Sequence, residues 1–267
     1  MLLEEMESKI VDMYSDNYSI LRLSKIFGCS DRPIKRILLK HGVSIKDNNW
    51  YKSKKVNHKF FDKVDSEAKA YILGFIYADG CLTKGNILSF HVSEVDKEIL
   101  FKIRTCLGSD HSIGTYKNTS GYYTENNYCS LQITSKHMHD TLVALGATER
   151  KTKSLTFPTW LDTDLIHHFI RGFFDGDGSV YEVSQNNFLG CSFIGTYDMM
   201  LNIKNILHSE LGTNTNVTKY KNKDIYEYHL GGRNIVTEFY KYLYEDATIF
   251  LSRKKDKFDK YLKAKCR

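Results

Sequence analysis

GFIYADG at residues 74–80 and GFFDGDG at residues 172–178 are two versions of one seven-residue phrase. Their matching aspartates, Asp79 and Asp177, lie 98 residues apart when the two positions are subtracted. That offset is too long for a solenoid repeat and is the size of a half-domain. We therefore expect a chain built from two related halves, each of which opens with this phrase.

Small residues recur four positions apart in both phrases, as Gly74 and Ala78 in the first and Gly172 and Gly176 in the second. Residues four apart share one face of a helix. A helix face without large side chains lets a second helix backbone approach closely. The phrases therefore predict two helices that pack against each other through these four positions.

A glycine follows each aspartate, Gly80 after Asp79 and Gly178 after Asp177. Glycine suits the left-handed residue that commonly ends a helix, so we expect the two aspartates to project side by side from the helix ends. A carboxylate at that end faces the negative pole of the helix dipole unless a cation compensates it. Because oxygen ligands suit Mg²⁺, we predict a site for Mg²⁺ or a similar cation such as Mn²⁺, with Asp79, Asp177, Gly80 and Gly178 as its ligand set.

The same order of elements follows each phrase. After the first phrase, strands are predicted around 87–92, 111–117 and 128–134, and helices at 95–108 and 136–146. After the second, strands are predicted around 188–195, 215–220 and 225–230, and helices at 197–212 and 233–243. Both copies indicate the order αββαββα, so we predict an α+β fold of two duplicated halves related by a pseudo-twofold axis, an arrangement suited to duplex DNA.

Composition is that of an ordinary globular protein, with 42% hydrophobic and 26% charged residues in 267. No apolar run approaches the roughly 20 residues of a membrane span, and the first residues lack the order of a signal peptide. We expect a cytoplasmic protein of a bacterial or phage-infected cell, with an organelle as the alternative. The six cysteines are scattered without zinc-ligand spacing, which predicts reduced thiols.

Basic residues are concentrated at the two ends of the chain. Residues 22–59 hold eleven Lys and Arg against two acids, and residues 251–267 hold eight against two. This excess favours a polyanionic partner, although a solvated basic face would give the same pattern.

Residues 1–45 have the apolar spacing of a helix-turn-helix, with small Ser24 at the helix contact, Gly28 in the turn, and Ser30 or Asp31 as the helix cap. The second helix is expected to present a basic surface to the major groove, formed by Arg32, Lys35, Arg36 and Lys40. Residues 46–62 are predicted to be a basic linker along the phosphate backbone, with Lys52, Lys54 and Lys55 as contacts. A plain helical hairpin and a DNA-indifferent linker are the alternatives.

Together the two phrases and the duplication closely resemble the LAGLIDADG homing endonucleases in their two-motif, single-chain form, over about residues 60–250. The N-terminal part looks like the helix-turn-helix modules of some mobile-element nucleases. DATIFLSRKKDKF at 246–258 looks like the tail of phage and intron-associated members. The resemblance implies a monomer whose two four-stranded antiparallel sheets form a saddle over DNA and which cuts both strands of one long site.

The same resemblance implies which side chains serve the site. Asp79 and Asp177 are the metal ligands, and Lys136 and Arg233, which open equivalent helices, are candidates for the basic catalytic residues. Glu94 and Thr196 are weaker candidates for ordering solvent. Further DNA contacts are expected at Lys84, Lys117, Lys219, Lys221 and Lys223.

Three residues depart from the family pattern. Leu73 and Tyr77 stand where a small residue and an acid are frequent, and Arg171 occupies the position of Leu73 in the second copy. These differences predict unequal halves and an asymmetric target.

The predicted organisation is a helix-turn-helix module at 1–45, a linker at 46–62, a first half at 63–150, a connection at 151–168, a second half at 169–250 and a basic tail at 251–267. The leading methionine and the module favour an independently translated protein. One alternative is an inactive relative that binds intron RNA as a splicing maturase or binds DNA as a regulator. A second is an unrelated duplicated protein in which the phrases only pack helices. Retention of both aspartates argues against simple loss of activity.

Overall fold

The computed structural model describes residues 2–16, 18–45, 54–117, 127–148, 154–183, 188–221 and 223–265. The chain divides into two compact units, residues 1–54 and residues 55–267. Among the described residues, no helix is both long and apolar enough to cross a membrane.

The first unit contains three helices, α1 (Leu2–Ser15), α2 (Ile20–Ile26) and α3 (Asp31–Lys40). Their apolar faces meet in a small core that includes Leu23, Ile34 and Leu38. Gly28 has a φ of +63° in the turn between α2 and α3, which is the left-handed conformation that glycine adopts without strain.

The predicted cap of α3 is only partly right. Ser30 occupies the N-cap position, but its side chain makes no capping hydrogen bond. The Asp31 carboxylate instead accepts a 2.6 Å hydrogen bond from the buried Ser24 hydroxyl, which ties α3 to α2.

The second unit consists of two copies of the order αββαββα followed by one more helix. The first copy comprises α4 (Glu67–Ala78), β1 (Gly80–Thr83), β2 (Ile87–Ser93), α5 (Lys97–Cys106), β3 (Ile113–Lys117), β4 (Asn127–Thr134) and α6 (Lys136–Ala144). The second comprises α7 (Ile166–Asp177), β5 (Ser179–Val183), β6 (Phe188–Gly195), α8 (Tyr197–Leu211), β7 (Thr218–Lys219), β8 (Tyr226–Leu230) and α9 (Arg233–Tyr244). The chain then forms α10 (Ser252–Lys265). This confirms the duplicated α+β fold.

Each copy forms its own four-stranded antiparallel sheet, in the order β1-β2-β4-β3 and β5-β6-β8-β7. Strand residues alternate between the two faces of a sheet, and one face of each sheet packs on the helices. In β2 this inner face carries Leu88, Phe90 and Val92, all buried. We call the opposite face of each sheet its outer face.

Helices α5 and α8 show how closely the halves match. Buried residues at 99, 100, 103 and 107 in the first half recur at 199, 200, 203 and 207 in the second. This three-four spacing gives each helix one apolar stripe against its sheet. One hydrophobic core therefore runs through both halves.

Two segments outside the predicted halves, the connection at 151–168 and the tail at 251–267, contribute side chains to this core. Leu155 and Phe157, beside Pro158, are buried. Residues 251–267 are not a simple basic tail, because α10 occupies most of them and inserts fully buried Phe258 among the rings of Phe174, Phe239 and Tyr244. The net basic charge of residues 251–267 indicated a surface segment, and it gave no sign that one side of the helix is buried in the core.

Candidate metal centre and nucleic-acid interface

Helices α4 and α7 cross with their backbones in contact. A Cβ atom added to Gly74 would lie 2.1 Å from the Phe169 carbonyl oxygen, and one added to Gly172 would lie 2.0 Å from the Tyr71 carbonyl oxygen. The two contacts repeat each other after an offset of 98 residues, as a pseudo-twofold axis between the helices requires. Only glycine fits at either position, because any side chain would have to displace backbone.

The contact continues toward the carboxyl ends of the two helices. A Cβ atom on Gly176 would lie 2.2 Å from the Ala78 Cβ atom and 3.4 Å from the Asp79 backbone nitrogen. Asp79 is the residue that ends α4, and Asp177 is the last residue of α7. Asp79 is exposed and Asp177 is half-buried. The packing therefore brings the two aspartate-bearing helix ends together.

The prediction that Gly80 and Gly178 end their helices in the left-handed conformation is wrong. Neither glycine has a positive φ, Gly80 already belongs to β1, and Gly178 is extended with φ −79° and ψ 159°. Glycine is needed for space instead. A Cβ atom on Gly80 would lie 2.6 Å from the Ile76 Cα atom, and one on Gly178 would lie 2.2 Å from the Phe174 ring.

Each aspartate lines a separate cavity. The cavity at Asp177 has a volume of about 230 Å³ and is mainly apolar, with Tyr77 and Leu155 among its walls. The cavity at Asp79 has a volume of about 130 Å³ and is polar, with Asp96 and Arg253 among its walls. Tyr77 and Ala78 of the first half line the Asp177 cavity, and Asp175 and Gly176 of the second half line the Asp79 cavity, so each half supplies a wall to the cavity of the other.

A buried lysine that the sequence did not single out holds the end of α7. The Lys254 ammonium donates to the carbonyl oxygens of Phe174 at 2.5 Å, Asp175 at 2.8 Å, Gly176 at 3.4 Å and Gly178 at 2.5 Å. This positive charge lies at the negative pole of the helix, where a cation is stabilising. A cation that compensates the helix end is thus part of the chain itself.

The pKa of Lys254 is affected by the charges of both aspartates. Burial lowers its pKa to about 8, while the charges of Asp175, Asp79 and Asp177 act in the opposite direction. Its three N–H donors are shared among four carbonyl oxygens, an arrangement that suits the protonated form.

Asp175, two residues before Asp177, is a buried anchor. Its carboxylate accepts hydrogen bonds from the Tyr71 hydroxyl at 2.8 Å, the Tyr244 hydroxyl at 2.8 Å and the Leu251 backbone N–H at 2.7 Å. Burial raises the pKa of this carboxyl, and the hydrogen bond from Leu251 and the charge of Lys254 oppose the rise. Asp175 therefore fixes α7 to the chain that enters α10.

Arg171, which the sequence marked only as a departure, is fully buried and performs a similar task. It donates to the Glu67 carboxylate at 2.5 Å and to the carbonyl oxygens of Leu243 and Ile249. Burial acts to raise the pKa of Glu67, but hydrogen bonds from Thr248 and Ile249 and the charge of Arg171 lower it below its usual value. Arg171 and Glu67 thus join α7, the start of α4 and residues 248–249.

The same segment reaches the first half. Arg253 makes a bidentate pair with Asp96, with both N–O distances at 2.9 Å. Ser252 donates to Glu98, and the Lys102 ammonium donates to the Phe250 carbonyl oxygen. Residues 248–254 therefore contact both halves beside the two aspartates.

The structure does not bring Lys136 and Arg233 to the aspartates. Gly80, beside Asp79, is level with Phe90 and Leu131 in the sheet, whereas Thr134 pairs with Ile87 at the opposite end. Three residues of strand span about 10 Å, so Lys136 leaves the sheet on the far side. Its ammonium pairs with Asp140 at 2.5 Å.

Arg233 follows β8 in the same way. His229 is level with Ser179, next to Asp177, and the strand then runs away from that end. The helix that Arg233 opens therefore begins on the far side of the second sheet. Among the described residues, the basic side chains Lys254 and Arg253 lie beside the aspartates. The run of three basic residues at 253–255 gives no sign of which side chains turn inward.

Glu94 and Thr196 lie at the correct end of their sheets, but both have structural partners. Glu94 accepts a hydrogen bond from Asn127 at 2.8 Å. The Thr196 hydroxyl caps α8 and donates to the Leu155 carbonyl oxygen at 2.6 Å, and Thr196 lines the Asp177 cavity.

Most of the predicted DNA contacts lie at the surface. Of the predicted contacts in the second unit, all are exposed, namely Lys55, Lys84, Lys117, Lys219, Lys221 and Lys223. In the first unit, Arg32, Arg36, Lys40 and Lys54 are exposed and Lys35 is half-buried. Lys40 also pairs with the mostly buried Glu7 at 2.7 Å, and Lys52 lies outside the described residues.

In the part of the chain that the structure describes, one other cluster of possible metal ligands, formed by His167, His168 and Asp246, is explained without an ion. Arg171 donates to the Nδ1 atom of His168 at 2.9 Å, so the neutral ring carries its proton on Nε2, the atom that faces Asp246 at 3.9 Å. A protonated nitrogen cannot ligate a metal. Burial, together with the charges of His167 and Arg171, lowers the pKa of His168 to about 4.

Comparison with known proteins agrees with this architecture. Residues 164–244 match the family model of the LAGLIDADG-like domain. Over 113 residues, 41% of the chain, the sequence is 31% identical to the DNA-directed RNA polymerase subunit Rpo1C of Methanocaldococcus jannaschii, and the match spans 12% of that protein.

Two solved structures are similar over about three quarters of the chain. The meganuclease I-SmaMI bound to uncleavable DNA is similar with a TM-score of 0.50 and 16% identity, over 75% of this chain and 89% of that one. The N-terminal LAGLIDADG domain of DUF199/WhiA has a TM-score of 0.48 and 14% identity, over 72% of this chain and 89% of that one. Residues 164–244 are therefore similar to the LAGLIDADG-like domain, and the chain shares the fold of the meganuclease I-SmaMI.

Proposed function

We propose that this protein is a metal-dependent endonuclease that makes a double-strand break at one long, asymmetric DNA site. The observation that carries the proposal is the meeting of the α4 and α7 carboxyl ends, each with an aspartate, across a glycine contact that admits no side chain. Two equivalent acidic positions about a pseudo-twofold axis suit two antiparallel strands with one scissile phosphate each. The DNA-bound state of I-SmaMI supports the choice of partner.

The donor set fits a divalent cation of the Mg²⁺ or Mn²⁺ type. Asp79 and Asp177 offer hard carboxylate oxygens in positions that are exposed or half-buried, so coordination sites remain for water and phosphate. When bound, such a cation lowers the pKa of a coordinated water and neutralises charge on the phosphate. The carbonyl oxygens of Gly80 and Gly178 stay secondary candidates as ligands, since Gly178 already accepts a hydrogen bond from Lys254.

Several of the chain's own residues would prepare this centre. Lys254 holds the last carbonyl groups of α7 and so fixes the backbone that carries Asp177. Its charge also offsets the negative helix pole toward which a phosphate must move. Arg253 donates the N–H of Nε and one N–H of Nη2 to Asp96, which leaves both N–H groups of Nη1 and the second N–H of Nη2 to meet a phosphate oxygen at the Asp79 cavity. We assign to Lys254 and Arg253 the basic roles that the sequence suggested for Lys136 and Arg233.

The outer faces of the two sheets would read the DNA, with Lys84, Lys117, Lys219, Lys221 and Lys223 at their margins. The first unit would add a separate DNA contact through α3, as a helix-turn-helix does in the major groove. The basic surface of that helix consists of Arg32, Lys35, Arg36 and Lys40, and Lys52, Lys54 and Lys55 would follow the phosphate backbone. The protein would act as a monomer, because both halves of the site belong to one chain.

The test is cleavage of a circular library of randomised double-stranded DNA by the full chain with Mg²⁺, followed by sequencing of the linear products. We expect one long consensus with cuts in both strands, and loss of the products in Asp79→Asn and Asp177→Asn. Asp110→Asn, an exposed aspartate away from the helix ends, is the matched control and should cleave normally. Cleavage that persists in both asparagine variants would contradict the proposal.

Selective DNA binding without cleavage in Mg²⁺ or Mn²⁺ would indicate a DNA-binding regulator. Preferential binding of intron RNA over duplex DNA would indicate a maturase.

A further inference from the structure

The outer face of the second sheet carries a ladder of three polar side chains that crosses three strands. The Tyr181 hydroxyl of β5 lies 3.2 Å from the His229 Nδ1 atom of β8, and the His229 Nε2 atom lies 3.4 Å from the Glu227 carboxylate. Tyr228 and Leu230, which alternate with these β8 residues, are buried in the core. The ladder therefore lies on the face that points away from the helices.

Gly190 of β6 makes the ladder possible. It pairs with Tyr181, and a Cβ atom at this position would lie 2.5 Å from the tyrosine ring. The ring can lie across β6 and reach β8 only because the intervening residue has no side chain. Since a plain strand position would favour a larger residue, the glycine points to a built arrangement.

The direction of the protons in the ladder follows from the partners. An ionised carboxylate can only accept, so the His229 Nε2 atom donates to Glu227. The Nδ1 atom of the neutral ring then accepts a hydrogen bond from the Tyr181 hydroxyl. The Tyr181 and His229 donors are thus used within the ladder. The remaining lone pairs of the Glu227 carboxylate are available to a ligand.

Acceptors on a DNA-facing surface select donors on the bases. In the major groove the base donors are the amino groups of cytosine and adenine, and adenine adds the N7 acceptor beside its amino group, which would repel a carboxylate. Alternation within the described strands places Glu227, and no second carboxylate, on the outer face of either sheet. A lone carboxylate facing a polyanion is unfavourable unless a base donor satisfies it.

We propose that Glu227, oriented by His229 and Tyr181, is a specificity residue that requires a cytosine amino group in the half-site contacted by the second sheet. This inference rests on the proposed function, since it takes duplex DNA as the ligand of the outer face. His229 and Tyr181 are positioning residues that hold the carboxylate in one orientation.

The experiment is selection of randomised double-stranded DNA by binding to the full chain in Ca²⁺, without a cleavage step. The wild type should enrich a consensus with a cytosine at one position of one half-site, preferred by about tenfold or more over the other bases. In Glu227→Gln the same position should change to adenine, because glutamine pairs with the amino group and N7 of that base. Tyr181→Phe should keep the cytosine but weaken its preference several-fold.

Glu182→Gln is the matched control, because Glu182 is exposed on β5 but alternates with Tyr181 and so lies off the outer face. Its consensus should equal that of the wild type. An unchanged consensus in both Glu227→Gln and Tyr181→Phe would overturn this inference and leave the proposed function intact. Failure of the wild type to enrich any duplex sequence would instead overturn the proposed function.

Discussion

Replacement of Gly172 by alanine should separate the two motif helices and weaken the metal centre. The new Cβ atom would lie 2.0 Å from the Tyr71 carbonyl oxygen, whereas an ordinary contact begins near 3.4 Å. The helices would have to part locally by about 1.4 Å, and overpacking of this kind costs about 1–3 kcal/mol. The substitution would otherwise gain about 1 kcal/mol of helix propensity, so any net loss reports the collision.

Two measurements on Gly172→Ala test this reasoning. Urea unfolding should give a free energy of unfolding lower by about 1–3 kcal/mol, and calorimetric titration with Mn²⁺ should give affinity about tenfold weaker or worse, since metal ligands tolerate little displacement. Gly231→Ala is the matched control, because a Cβ atom there meets nothing within 4 Å and its φ is not positive. Wild-type stability together with wild-type Mn²⁺ affinity in Gly172→Ala would refute the account.

Three further predictions concern other contacts of the second unit. Gly176→Ala alone should destabilise the protein, because its Cβ atom would lie 2.2 Å from that of Ala78, and adding Ala78→Gly should restore most of the unfolding free energy; two additive losses would contradict this contact. Lys254→Met should lower the free energy of unfolding by about 3 kcal/mol, because buried carbonyl oxygens lose their donor. Lys255→Met removes a partly exposed pair with Asp259 and should lower it by about 1 kcal/mol or less. Equal losses would argue against a role of Lys254 at the end of α7. The pKa of His168 is lowered to about 4 in the folded state. Lowering the pH from about 6.5 to 4 should therefore reduce the free energy of unfolding by up to about 3 kcal/mol. His168→Gln should flatten that part of the pH profile of stability, and an unchanged profile would contradict the burial argument.

The repeated phrase was sufficient to predict the architecture, because helix packing and strand alternation leave periodic marks in a sequence. Gly74 and Gly172, which are 98 residues apart, make equivalent contacts in the structure, and Asp79 and Asp177, with the same offset, occupy equivalent helix ends. The roles of Gly80 and Gly178 were mistaken because glycine after a helix meets two different needs, a left-handed backbone or lack of space. The sequence alone does not distinguish the two.

Other parts of the centre depend on contacts between residues that are distant in sequence. Arg171 finds Glu67 across 104 positions, and Lys254 finds the end of α7 across nearly 80. No local pattern records such pairs. The basic run at 253–255 predicted a surface, although Lys254 is only 5% exposed.

We propose that Asp79 and Asp177 together hold a divalent cation at the junction of the two motif helices. Anomalous diffraction from crystals of the full chain grown with Mn²⁺ tests it most directly. We predict density within about 2.0–2.5 Å of carboxylate oxygens of both aspartates, and its loss in crystals of Asp79→Asn or Asp177→Asn. Mn²⁺ bound elsewhere with neither aspartate as a ligand, or carboxylates more than about 10 Å apart, would contradict the claim, since one ion at those bond lengths could not join them.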